Sequence, residues 1–168
     1  MKNLRTLTTM AVLIALGVVC SYLGAIPMFG AKLFPAQAAI DVIAAVTIGP
    51  WFGGIVALAI ALLRIALGTG SILAIPGSFF GAVLAGLLFR ATRSTLAAML
   101  GEVLGTGVIA AIVAYPMAVA FLHKAASIGL FFYVIPFGSS SLAGALLGGV
   151  VAAALGRALP RTVPEPSR

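Results

Sequence analysis

The sequence predicts an all-α integral membrane protein: a bundle of six transmembrane helices whose outer loops dip into a pocket. Of its 168 residues, 62% are hydrophobic and only 8% are charged, and the mean hydropathy is +1.25. A soluble domain of this length exposes much of its surface to water and normally carries about a quarter charged residues. The apolar tracts lack the period-two alternation of a β-barrel. Lipid is therefore the expected solvent, and helices are the expected elements.

The length of the chain fits six crossings. Each crossing takes roughly 20 apolar residues, so six occupy about 120 residues and leave no room for a separate aqueous domain. We expect one membrane domain with a cytoplasmic tail at 157–168. The predicted helices lie near residues 6–26, 36–49, 51–67, 77–90, 95–118 and 137–156.

The first helix follows Lys2 and Arg5. Its apolar run is too long for a cleaved signal peptide and no more hydrophobic than the chain after it, so it is expected to be retained. Ala11 and Ala15 are small residues four apart, a spacing that lets another helix approach closely. That surface serves either the internal bundle or a partner.

The second and third helices are separated at Gly49–Gly54, where glycine and proline indicate a turn. With this turn, and with both termini in the cytoplasm, seven Lys and Arg residues lie inside and two outside. Without it, five helices place four inside and six outside. Cytoplasmic loops normally carry the excess of Lys and Arg, so the six-helix arrangement is favoured.

Two segments on the outer side are too apolar for free loops and too rich in Gly and Pro for straight helices: Ile26–Ala39 and Gly68–Ser78. Non-helical backbone at membrane depth persists where it is buried in protein or lines a cavity. We expect both segments to line a pocket that opens outward, ahead of the second and fourth helices.

Three ionisable residues fall inside the predicted helices: Asp41, Arg64 and Glu102. Such groups are costly in a membrane and are functional candidates. Asp41 and Arg64 are placed to form a buried pair. In the fifth helix, Glu102 shares a face with Thr106, while Gly101 and Gly105 allow a close helix contact.

The remaining candidates are polar groups near the predicted pocket. Tyr115 precedes Pro116, which frees a backbone carbonyl, and Ser139 starts a run of three serines. The candidate substrate-binding residues are Lys32, Gln37, Arg64, Thr69, Ser78, Glu102, Thr106, Tyr115 and Ser139.

Several function classes are excluded by what the sequence lacks. The basic residues are scattered between apolar tracts, unlike a nucleic-acid patch. Neither a P-loop nor a nucleophile–base arrangement is present, so we expect no enzyme, no bound cofactor and an energy source on another protein. The single cysteine, Cys20, forms no intrachain disulfide, and no cluster has metal-ligand spacing.

Four motifs together resemble the ThiW type of substrate-binding (S) component of energy-coupling factor transporters. They are Ala11-xxx-Ala15, the stretch Leu63–Ser78, Gly101–Gly107, and Tyr115-Pro116. The resemblance covers nearly the whole chain, and the part from Arg64 to Ser78 is the most specific.

The resemblance implies a six-helix component in the cytoplasmic membrane that binds a vitamin precursor, the thiazole of thiamin called hydroxyethylthiazole. It implies docking onto a transmembrane coupling protein with two cytoplasmic ATPases, and contact of Ala11 and Ala15 with that coupling protein. Three alternatives stay open: an S component for another vitamin, a stand-alone facilitator or ion-coupled carrier, and an assembly protein that binds no small molecule.

Overall fold

The computed structural model describes residues 2–22, 26–28, 31–122, 129 and 131–158. Within these ranges the chain forms six helical rods and one short hairpin. The elements are α1 (Lys2–Cys20), β1 (Ile26–Met28), β2 (Ala31–Leu33), α2 (Pro35–Thr47), α3 (Pro50–Ala66), α4 (Ala74–Thr92), α5 (Thr95–Leu104), a π-helical segment (Gly105–Ala110), α6 (Ala111–Leu122) and α7 (Val134–Ala158). Because α5, the π-helical segment and α6 run on without a break, they form a single rod.

The predicted six-helix bundle is confirmed, but several boundaries differ. The first helix ends at Cys20 rather than near 26, and the antiparallel pair β1–β2 follows, with Pro27 opposite Lys32. Because Pro27 disfavours helical backbone at the residue before it, the chain becomes extended here. The fifth rod continues past Pro116 to Leu122 instead of stopping near 118.

The fourth and last helices begin before their prolines, not after them. Helix α4 starts at Ala74 and α7 at Val134, so Pro76 and Pro136 occupy their first turns. A proline is tolerated there because the missing N–H has no helical acceptor. The predicted starts near 77 and 137 were therefore late.

The predicted turn between the second and third helices is present at Ile48 and Gly49. Gly49 has φ +87°, a left-handed conformation that glycine adopts without steric cost. Pro50 then occupies the first position of α3, where its fixed φ suits a helix start.

Small residues set the closest helix contacts. Gly144 and Gly148 of α7 lie against the backbone of α2, and Gly101 and Gly105 of the fifth rod lie against the backbone of α4. Close backbone approach of this kind is typical of membrane helices. Helix α2 is consequently enclosed by its neighbours, with Asp41 and Val42 fully buried.

The outer surface of the bundle is apolar, as lipid contact requires. Large hydrophobic side chains such as Trp51, Leu96 and Val150 are more than half exposed. By length and composition, three helices of the described residues can each cross a membrane: 74–92, 95–121 and 134–155. The helices of the first three rods are apolar but shorter.

Candidate functional site

A cavity lies at the end of the bundle where α2, α4 and α7 begin and α3 ends. It has a volume of about 70 Å³, several times the ~10–15 Å³ that a single water molecule needs. Phe34, Leu73 and Phe137 supply apolar wall, and polar side chains from α2, α3, α4, α7 and the fifth rod converge on the same space. The cavity is thus sized for a small molecule with several polar contacts.

Arg64 anchors one part of the cavity wall. Its Cζ lies 3.8 Å from the centroid of the Phe34 ring, a cation–π geometry. Its Nη1 donates to Gln37 Oε1 at 3.4 Å, and Gln37 Nε2 donates to Asp41 Oδ1 at 3.1 Å. The expected pairing of Asp41 with Arg64 therefore runs through the Gln37 amide, which sits one helical turn before Asp41.

Glu102 anchors the second part. Thr106 Oγ1 lies 2.7 Å from Glu102 Oε1 and 2.9 Å from the carbonyl oxygen of Gly77. Ser141 Oγ lies 3.4 Å from the same Oε1 and 3.2 Å from the Glu102 carbonyl oxygen. The carboxyl group thus links the fifth rod to α7, and Thr106 links the same rod to α4. The Glu102 side chain is completely buried.

The connection from α3 to α4, residues 67–73, folds back over the end of α3. Gly68 has φ +74°, and the N–H groups of Thr69 and Gly70 both donate to the Arg64 carbonyl, at 2.9 and 2.8 Å. The Thr69 hydroxyl lies 3.0 Å from the hydroxyl of Ser21, the residue that follows α1. This loop places Ser71 and Leu73 at the cavity, and the beginning of α4 places Ser78 there.

Three buried polar atoms of cavity-lining residues have no hydrogen-bond partner: Arg64 Nε, Ser78 Oγ and Glu102 Oε2. Buried polar groups are normally paired, and an unpaired one costs about 1–3 kcal/mol. The cavity wall therefore carries one unpaired donor, Arg64 Nε, one unpaired carboxyl oxygen, Glu102 Oε2, and the Ser78 hydroxyl, which can donate or accept.

The structure brings together some of the sequence-predicted site residues and separates others. Those that line the cavity are Gln37, Arg64, Ser78, Glu102 and Thr106. Thr69, Tyr115 and Ser139 are not among the lining residues; Ser139 is exposed and donates to the Pro136 carbonyl at 3.1 Å. Lys32 lies in β2, and its side chain is outside the described residues.

Sequence reasoning missed other residues of the cavity wall. Ser140 and Ser141 line it, although Ser139 was chosen from that run, and the Phe34 N–H donates to Ser140 Oγ at 3.0 Å. Phe34 and Phe137 were not singled out, since nothing in their sequence context distinguishes them from lipid-facing aromatics. Ser71 lay in the predicted irregular segment and could have been named from it.

Known proteins share the sequence family and the fold of this chain. Residues 7–158 match the family model for ThiW, described as a thiamine-precursor transporter protein. A solved structure similar to this one is the crystal structure of the S-component for biotin from an ECF-type ABC transporter, with a TM-score of 0.70 and 19% identity over 92% of each chain. At that identity the similarity concerns the fold. A search of curated proteins finds no significant match.

Proposed function

The chain belongs to the ThiW family of thiamine-precursor transporter proteins, and we propose that it captures hydroxyethylthiazole for an energy-coupling factor importer. The observation that carries this proposal is the cavity with three unpaired buried polar atoms inside an otherwise apolar bundle. A transporter component that holds its substrate within the membrane needs such polar groups at a few positions only.

The chemistry of the cavity suits a small heteroaromatic alcohol. The rings of Phe34 and Phe137 offer apolar surface to a flat ring. Arg64 Nε offers a donor for a ring nitrogen, and Ser78 and Glu102 offer acceptors for a hydroxyl.

The orientation that we propose has six crossings, both termini in the cytoplasm and the cavity open to the outside. Ser78 lines the cavity near the start of α4, whereas Arg90 lies in the last turn of that helix, about 18 Å further along. Lys2, Arg5 and Arg93 also lie at helix ends that the connectivity places with Arg90. The excess of Lys and Arg at that end favours a cytoplasmic position for it.

Release of the substrate inward would be driven by partners, a transmembrane coupling protein with two cytoplasmic ATPases. Helix α1 packs inward through Leu13 and Gly17, while Ala11 and Ala15 are exposed on its other side. Small exposed residues four apart allow a second helix to come close. We assign this face to the coupling protein.

Thermal unfolding of the detergent-purified protein tests the substrate. At 100 times its Kd, hydroxyethylthiazole should add about 2.7 kcal/mol to the free energy of unfolding and raise the apparent Tm by several degrees. Thiamin, its pyrimidine precursor, riboflavin and biotin serve as comparison compounds and should leave the Tm unchanged. Stabilisation by one of these instead would identify an S component for another vitamin. No stabilisation by any compound would contradict substrate capture.

A further inference from the structure

The two oxygens of the Glu102 carboxyl have different surroundings. Oε1 is within hydrogen-bond distance of two hydroxyl groups, those of Thr106 and Ser141. Oε2 is buried and has no partner. Because both neighbouring hydroxyls lie at Oε1 and neither reaches Oε2, Glu102 keeps one oxygen without a partner.

Helix α4 carries no side chain at the position that faces Oε2. Gly81 faces it, and a Cβ at that position would overlap both Glu102 Oε2 and Thr106 Oγ1. The absence of a side chain at Gly81 therefore provides the room that Oε2 occupies. One turn earlier on the same helix is Ser78, whose hydroxyl is also buried and unpaired.

The charges around the cavity are unequally compensated. Asp41 is linked to the Arg64 guanidinium through Gln37. Within the described part of the chain, Glu102 has hydroxyl groups as its side-chain hydrogen-bond neighbours and no cation among them. The ionisable residues of the described cavity wall are thus two carboxyl groups and one guanidinium. Such a wall favours a ligand with a hydrogen-bond donor and disfavours an anionic one.

We propose that Glu102 Oε2 and the Ser78 hydroxyl form the subsite for the hydrogen-bond donor of the ligand, and that this subsite rejects the phosphorylated form of the same compound. This inference rests on the proposed function. The terminal torsion angle of a glutamate side chain takes a broad range of values, so a small rotation of the carboxyl group turns Oε2 towards the ligand. Thr106 and Ser141 are positioning residues, because they hold the carboxyl group through its other oxygen.

The test measures binding of four probes to the purified full chain by thermal shift and calorimetry. The probes are hydroxyethylthiazole, its O-methyl ether, the ethyl analogue that lacks the hydroxyl, and its phosphate ester. The wild type should bind the alcohol about tenfold more tightly than the ether and the ethyl analogue, since neither analogue can donate to Oε2 and each leaves that buried oxygen unpaired. The phosphate ester should bind more weakly still.

Variants locate the effect. Glu102→Gln replaces one carboxyl oxygen, an acceptor, by an amide NH2 group, which is a donor. The variant should therefore bind the alcohol about tenfold more weakly than the wild type and should lose the preference for the alcohol over the ether. Ser78→Ala should lower the affinity for the alcohol severalfold. Ser94→Ala removes an exposed serine hydroxyl at the start of α5, away from the cavity, and should bind all probes as the wild type does.

The outcomes separate the inference from the proposed function. Equal binding of the alcohol and the ethyl analogue by the wild type would overturn the subsite while leaving substrate capture intact. A preference for the alcohol that survives in Glu102→Gln would overturn it in the same way, as would tight binding of the phosphate ester. If the wild type binds none of the four probes, both the inference and the thiazole assignment fail. Should Glu102→Gln not fold, the wild-type comparison and Ser78→Ala still decide.

Discussion

Arg64 shows how a single cation is held inside an apolar bundle. Its side chain is 3% exposed, so its charge is removed from bulk water at a large cost in hydration. The Phe34 ring covers one face of the guanidinium, and the Gln37 amide connects it to Asp41. A planar guanidinium can stack and donate at the same time, which an ammonium group cannot do.

We therefore predict that Arg64→Lys destabilises the ligand-free protein by about 2 kcal/mol, because the shorter ammonium side chain cannot stack on Phe34 and donate to Gln37 at the same time. The apparent Tm measured in detergent should fall by several degrees. Arg90→Lys is the matched control, since Arg90 is exposed in the last turn of α4. Equal Tm values for the two variants would refute a structural role for the guanidinium plane.

Residue identity alone could place only part of this site. Because polar groups are rare and costly in membrane helices, the sequence predicts five of the residues that line the cavity: Gln37, Arg64, Ser78, Glu102 and Thr106. Which serine of the run 139–141 faces inward depends on the rotation of α7 about its axis. That rotation is not marked in the sequence, since apolar residues surround the run on every side.

Among the elements, α2 and α7 make the closest contact through glycine. Gly144 and Gly148 are one turn apart on α7, and Gly148 lies over the backbone of Ala39 in α2. Without side chains at these positions, the two helices approach near enough for backbone atoms to touch. This approach carries Gln37 and Asp41 of α2 towards Ser140 and Ser141 of α7.

We predict that Gly148→Ala lowers the apparent Tm by several degrees, because the new Cβ would lie 2.5 Å from the Ala39 carbonyl oxygen and force the helices apart. Gly138→Ala is the control in the same helix, where a Cβ meets no atom within 4 Å. It should leave the Tm unchanged or raise it slightly, since alanine favours a helix over glycine. A Gly148→Ala variant as stable as Gly138→Ala would disprove the contact.

The fifth rod contains an irregularity that the sequence did not predict. The π-helical segment Gly105–Ala110 follows Glu102 and includes Thr106. Segments of this kind are frequent at functional sites. Here the wider turn coincides with the Thr106 hydroxyl bond to the Gly77 carbonyl of α4.

At the scale of the whole molecule, the cavity and the basic helix ends lie at opposite ends of the bundle. The proposed docking face of α1, Ala11 and Ala15, is separate from the cavity wall. The loop 67–73 contacts the chain just after α1, where Thr69 lies against Ser21. Because Ala11 and Ala15 do not line the cavity, binding and docking can be tested with different substitutions.

We predict that the double substitution Ala11→Leu and Ala15→Leu preserves binding of hydroxyethylthiazole but reduces its uptake at least tenfold. The added side chains fill the space that a partner helix needs, while the cavity is unchanged. Binding is measured on purified protein, and uptake of the labelled compound is measured in cells that supply the native partners. Ala143→Leu, on an exposed position of α7, is the control and should retain uptake.

Two results would contradict this assignment. Unimpaired uptake by the double variant would exclude Ala11 and Ala15 from the docking face. Concentrative uptake by the chain expressed without any coupling protein or ATPase would instead identify a stand-alone carrier.

The sequence by itself determined the lipid solvent, the helical class, the six rods and five of the polar residues that line the cavity. These follow from composition and local spacing, which report how each segment meets lipid. The tertiary structure decided that Gln37 links Asp41 to Arg64, that Ser140 and Ser141 rather than Ser139 face inward, and that Glu102 keeps one free oxygen. The reason is physical: lipid tails are as apolar as the bundle interior, so hydrophobicity does not mark the inner face of a membrane helix, and only packing fixes it.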